Sequence, residues 1–214
     1  MTYSYNEMAV LGKNAAKAVG LSWGLAAEAG HAFATMASID AAFADDFLHL
    51  LALHETKSYD DLSFVQEEHN ITPKQEIISP FILGSYICDF GVKFCNQNAI
   101  IMHDIAYPAF IMPFLMKLLQ DDDNHIISLS DSLTKPLFCN MISKQKIECA
   151  GEMTGLKKGA TLTLSMHEMK RDDASPIHPR IDISPQIYEA LQAYAKQIYA
   201  PATELSRLRG AGGE

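Results

Sequence analysis

The periodicity of apolar residues breaks at Ile71-Thr72-Pro73, and that break constrains the fold more than any other feature. Before it the spacing is helical. From Asn6 to Val19, the residues Met8, Leu11, Ala15 and Ala18 recur roughly once per turn, and Gly20 stands where a helix ends in a left-handed residue. Ser22 reads as the N-cap of a second helix reaching about Ser38. Leu25, Ala29, Ala32, Phe33 and Met36 form its buried stripe, and its alanines and glycine allow another backbone to come close. A third helix is expected from Ile39 or Asp40 to His54, with Phe43, Phe47, Leu50, Leu51 and His54 on one face. A short polar helix or turn follows, over Tyr59 to His69.

After the break the pattern is one of short strands and turns. Ile77-Ile78, Tyr86 to Phe90 and Ala99 to Met102 read as brief β-runs around Pro80 and Gly84. Pro108 suits the first turn of a helix reaching Leu119, with Pro113 delaying or kinking it. Strands are then expected at His125–Ser130, Leu137–Ser143, Lys146–Gly151 and Ala160–Met166. In the last, Leu162, Leu164 and Met166 alternate with Thr161, Thr163 and Ser165, the mark of a strand with one face buried. Connections this short imply mostly antiparallel pairing. Lys170 to Arg180 reads as an exposed loop, and Ser184-Pro185 caps a final long helix carrying Ile187, Leu191, Tyr194 and Ile198 on one stripe. The expected fold class is α+β: an N-terminal helical layer, a mostly antiparallel central sheet, and a long C-terminal helix packed on it. Residues 1–214 are read as one domain, with 1–70 helical and 71–214 holding the sheet and the last helix.

Composition narrows the function classes. The net charge of −9 disfavours nucleic-acid binding, which needs phosphate-neutralising cations. Ile105 to Leu119 is the most apolar stretch, but it contains Pro108, Pro113 and Lys117 and falls short of the roughly twenty residues of a membrane span. Met1 to Glu7 has no basic segment leading into an apolar run, so the expected location is cytoplasmic. Cys88, Cys95, Cys139 and Cys149 lack the tight spacing of a zinc site, and the acidic turn Asp121-Asp122-Asp123 lacks that of a calcium loop. No metal site is therefore expected. Neither a dinucleotide-binding nor a P-loop motif occurs, so no cofactor is named by the residues.

The residues that carry chemistry are scattered. Glu28 and His31 are three apart on one helix face beside Trp23, and read as a pocket wall. His103-Asp104 lies where a strand meets a helix, and Asp89 interrupts an apolar run that would oblige it to find a partner if buried. The densest polar stretch is the C-terminal one. There Thr203, Glu204, Ser206, Arg207 and Arg209 precede Gly210, Gly212 and Gly213. A guanidinium fork beside glycine N–H groups suits an anion, with Glu204 as polariser or acid–base group.

Gly20-Leu-Ser-Trp-Gly-Leu-Ala-Ala-Glu-Ala-Gly30 resembles the N-terminal signature of a proteobacterial protein family of unknown function. Ser79-Pro-Phe-Ile-Leu-Gly84 with Asp89, and Tyr107-Pro108, resemble its central signatures; Tyr199 to Gly212 is similar to its closing motif. The resemblance implies that Pro201, Thr203, Glu204, Ser206, Arg207, Gly210 and Gly212 belong to a shared motif, and it implies no activity. In the family that it resembles the glycine run tends to continue into a glycine-acidic tail, a point of departure for this sequence, which stops at Glu214. The helix pair at the N-terminus faintly resembles the start of the type-2 malate/lactate dehydrogenases, whose cofactor-contacting stretches have no counterpart here. The resulting expectation is a protein that binds a small anionic metabolite, with an amino-acid or organic-acid enzyme as one form of it. In that reading Glu204, His103 and Asp89 are the candidate catalytic groups, and Ser206, Arg207, Thr203, Gly210, Gly212, Trp23 and Glu28 the candidate ligand contacts. The alternative is an accessory subunit whose C-terminal arm docks into a partner. The alanine-rich helices are compatible with a homodimer.

Overall fold

The structure, a computed structural model, describes residues 1–90, 100–118, 125–131, 139–142, 147–150, 161–168 and 180–198. Strand β1 (Thr2–Ser4) leads straight into helix α1 (Tyr5–Ala18), whose start is fixed by a capping box between Ser4 and Glu7. Gly20 follows the helix with φ 97°, the left-handed residue that its position demands. Helix α2 (Trp23–Ile39) begins with the Ser22 hydroxyl accepting from the Leu25 N–H, and α3 (Phe43–Thr56) follows a turn in which Asp40 accepts from the Ala42 N–H.

Helices α1 and α2 cross at glycine. A Cβ on Gly12 would meet Phe33 Cδ1 at 2.7 Å, and one on Gly30 would strike the carbonyl of Ala9 and the Lys13 nitrogen. Ala29, Ala32, Phe33 and Met36 are buried as the stripe predicts, and Leu25 is half-buried. Phe33 stacks on Phe47 of α3, with ring centroids 4.5 Å apart. Phe47 in turn meets Phe81 and Phe110, each at 6.0 Å. These aromatic contacts join the N-terminal helices to the later half of the chain.

Strands β2 (Phe64–Glu67) and β3 (Asn70–Pro73) pair as a hairpin around Glu68-His69, so residues 1–70 are not wholly helical. The runs are too short and polar to alternate visibly. Helix α4 (Pro80–Phe90) replaces the strand expected at Tyr86–Phe90. The Ser79 hydroxyl accepts from the Phe81 N–H and its carbonyl from the Leu83 N–H, so Ser79-Pro80 starts a helix as Ser184-Pro185 does. Its β-branched and aromatic content belongs to a helix buried on most sides, with Phe81, Ile82, Leu83 and Ile87 all inside. Gly84 lies against the Phe114 ring, where a Cβ would not fit.

After β4 (Ile100–His103) come a 3-10 turn (Pro108–Ile111) and α5 (Met112–Leu118), the two parts into which Pro113 divides the expected helix. Strands β5 (His125–Asp131), β6 (Cys139–Ile142), β7 (Ile147–Ala150) and β8 (Thr161–Glu168) complete a sheet of order β2-β3-β4-β8-β5-β6-β7. Its pairs are antiparallel except β3–β4, which is parallel because α4 makes the crossover between them. The architecture is α+β.

Strand β9 (Arg180–Asp182) pairs with β1 and leads into α6 (Pro185–Lys196). Leu191 is fully buried, and Ile187, Tyr194 and Ile198 are half-buried. Here the expectation needs correction: among the described residues, α6 packs chiefly on α1 and then on α3, rather than on the sheet. The β1–β9 pair carries it there, and Tyr3 stacks on Tyr188 with centroids 4.4 Å apart. The turn Asp121–Asp123 and the segment 199–214, with Thr203, Glu204, Ser206, Arg207, Gly210 and Gly212, lie outside the described residues.

Candidate functional site

Glu28, His31, Ala32 and Thr35 are spaced i, i+3, i+4 and i+7, so they form one stripe of α2. That stripe is one wall of a cleft of about 570 Å³. Tyr5, the first residue of α1, forms the second wall, and Pro113, Phe114 and Lys117 of α5 the third. Each wall owes its place to a local device. The capping box holds Tyr5 at the start of α1, Ser22 sets the phase of α2, and Gly84 lets Phe114 seat α5 against α4.

Polar groups converge in the cleft. Lys117 Nζ donates to Glu28 Oε1 at 2.6 Å, an ion pair whose side chains are 52% and 32% exposed. The Glu28 hydrogen bond is the main reason why the Lys117 ammonium is held above its ordinary pKa; Coulombic attraction to Glu28 and Asp89 adds to it, against partial burial. The Tyr5 hydroxyl lies 3.0 Å from Thr35 Oγ1 and donates to the His31 carbonyl at 3.3 Å. The Tyr5 and His31 rings stack at 6.3 Å. The Cys88 thiol donates to the Phe114 carbonyl, and burial pushes its pKa up to about 11, so it is a packed thiol rather than a nucleophile.

Of the residues singled out in the sequence, Glu28 and His31 line this cleft. Asp89 is exposed at the end of α4, and its charge acts on Lys117. Trp23 does not line the cleft; it is 58% exposed beneath the ammonium groups of Lys13 and Lys17, at 5.7 and 5.3 Å from its ring. His103 ends β4 opposite Thr161 and does not line it either. The next residue, Asp104, has φ 51°, and Tyr107 has φ 43°. Left-handed non-glycine residues are costly and favour sites where the surroundings over-determine them. Tyr107 packs flat against His49 at 5.9 Å, and burial, then Asp46 and Asp45, raises its pKa.

Three cleft residues have only faint sequence signals. Lys117 is the one cation in the apolar run Ile105 to Leu119, Thr35 is a hydroxyl in an alanine-rich helix, and Tyr5 precedes the first helical repeat. A further pair is hidden in the core. His54 Nε2 lies 2.8 Å from the Ser79 hydroxyl, both groups are buried, and burial lowers the His54 pKa to about 4.

A family model described as "Protein of unknown function (DUF3726)" matches residues 3–74. The match takes in Tyr5, Glu28, His31 and Thr35 and leaves out Lys117 and the closing motif. It supports an uncharacterised family over the N-terminal third and carries no activity. No curated protein matches the chain. No helix among the described residues is long and apolar enough to cross a membrane. Among the same residues, no three His, Cys, Asp or Glu are grouped to hold a metal ion.

Proposed function

We propose that this protein binds a small carboxylate-bearing metabolite of the amino-acid or organic-acid class in the cleft between α1, α2 and α5. One observation carries the reading: a cation from α5, a carboxylate from α2 and hydroxyls from α1 and α2 converge on one concave site. Lys117 supplies the charge-assisted bond to the ligand carboxylate. Tyr5 and Thr35 supply hydroxyls that orient it. Before a ligand binds, Glu28 holds the Lys117 ammonium in place, and Asp89 adds to the negative potential around it.

The same proposal assigns Arg207, with Thr203, Ser206, Gly210 and Gly212, to anion contact, and Glu204 to an acid–base role, whereas His103, which lies away from the cleft, has no role in it. A cytoplasmic location and a homodimeric assembly belong to it as well. What supports the C-terminal assignment is chemistry alone, a guanidinium fork next to glycine backbone.

Thermal-shift screening against carboxylates and phosphates tests the reading in the wild type, Lys117→Ala and Arg207→Ala. A ligand at a hundred times its Kd stabilises by about 2.7 kcal/mol, a rise of roughly 5–10 °C for a chain of this size. The expected result is a carboxylate that raises Tm in the wild type and has little effect on Lys117→Ala. A panel without effect, or an undiminished response in Lys117→Ala, contradicts the cleft assignment. An undiminished response in Arg207→Ala removes that residue from the site.

A further inference from the structure

We propose that the ligand of this cleft is a zwitterion, an α-amino acid, and not a simple carboxylic acid; the proposal rests on the cleft being the binding site. The argument is one of charge balance. Lys117 is already paired with Glu28, Nζ to Oε1 at 2.6 Å, and that bond is the first cause of its raised pKa. A mono-anionic ligand that takes Lys117 leaves the Glu28 carboxylate, two-thirds buried, without its cation. An uncompensated carboxylate in that position resists binding. An α-amino acid exchanges one ion pair for two. Its carboxylate takes Lys117, its ammonium takes Glu28, and the net charge of the site is unchanged.

The surroundings fit that exchange. In that exchange neither charge of the Glu28–Lys117 pair is left without a partner, so the two new pairs offset the one that opens. The adjoining Tyr5 and Thr35 hydroxyls, 3.0 Å apart, offer a donor to the second carboxylate oxygen. His31 and Pro113 are the walls that the amino-acid side chain meets.

The test is isothermal titration calorimetry near neutral pH on the full chain. The probes are L-amino acids, each paired with the carboxylic acid that lacks its α-amino group, for example L-leucine with 4-methylpentanoate and L-glutamate with glutarate. The wild type is expected to bind an amino acid roughly tenfold or more tightly than its deaminated partner, the loss of one charge-assisted bond. Glu28→Gln is expected to erase or reverse that preference, Glu28→Asp to retain it, and Lys117→Ala to lose both ligands. Deaminated acids that bind the wild type as well as the amino acids overturn the zwitterion and leave the cleft standing. A preference unchanged in Glu28→Gln does the same. If no probe binds, or Lys117→Ala binds as the wild type does, the cleft reading falls and this inference with it.

Discussion

His54 shows how one residue's surroundings set its behaviour. It lies on the apolar face of α3, its ring packs on Phe81 at 5.8 Å, and its Nε2 meets the buried Ser79 hydroxyl at 2.8 Å. Burial disfavours the imidazolium and lowers the folded-state pKa from 6.5 to about 4. Between those values the unfolded chain binds more protons than the folded one, so stability rises with pH across that window. The contribution is complete above about pH 6.5 and is lost as pH falls toward 4, with a total of about 3 kcal/mol. Denaturant melts from pH 7 to pH 4.5 should show this slope in the wild type. His54→Leu should lose stability at pH 7 through loss of the buried His54–Ser79 hydrogen bond, yet show a flatter profile in acid. An equal slope in both proteins would assign the acid sensitivity to other groups. The apolar spacing of α3 places His54 on the buried face, whereas its bond to Ser79 depends on a tertiary contact that spacing does not encode.

Among the elements, α1, α2 and α6 are legible because their apolar stripes coincide with capping signals at Gly20, Ser22 and Ser184, and α3 is legible from its apolar stripe alone. Helix α4 is not, because β-branched and aromatic residues crowd a helix buried on several sides. Its Ser79-Pro80 start is the better signal. Glycines separate packing from propensity within these elements. Gly30 faces the backbone of α1, so Gly30→Ala should cost about 1–3 kcal/mol by overpacking. Gly24, in the same helix, faces open space, and a Cβ there would meet nothing within 4 Å. Gly24→Ala should therefore be neutral or stabilise by up to about 1 kcal/mol. Chemical denaturation of the two variants side by side checks both signs. A tolerated Gly30→Ala would mean that α1 and α2 separate easily, and would remove the close crossing as a reason for the cleft's shape.

At the scale of the molecule, strand content and antiparallel pairing follow from short connections, and the parallel β3–β4 pair follows from α4, a helix that the residue pattern conceals. The placement of α6 on α1 follows from a two-stranded pairing, β1 with β9, between segments at opposite ends of the described chain. Two strands of three residues each leave no periodic trace. The cleft is a product of the same long-range assembly. Glu28 and His31 stand out by spacing, but Lys117 reaches Glu28 across 89 positions of sequence. Tyr5 and Thr35 meet only because α1 and α2 cross at glycine. Amide hydrogen exchange, with and without the tightest-binding amino acid of the calorimetric panel, tests the central claim most directly. The account predicts added protection at the start of α1, along residues 28–35 of α2 and across α5, and its loss in Lys117→Ala. Protection confined to other elements, with these three unchanged, would contradict it.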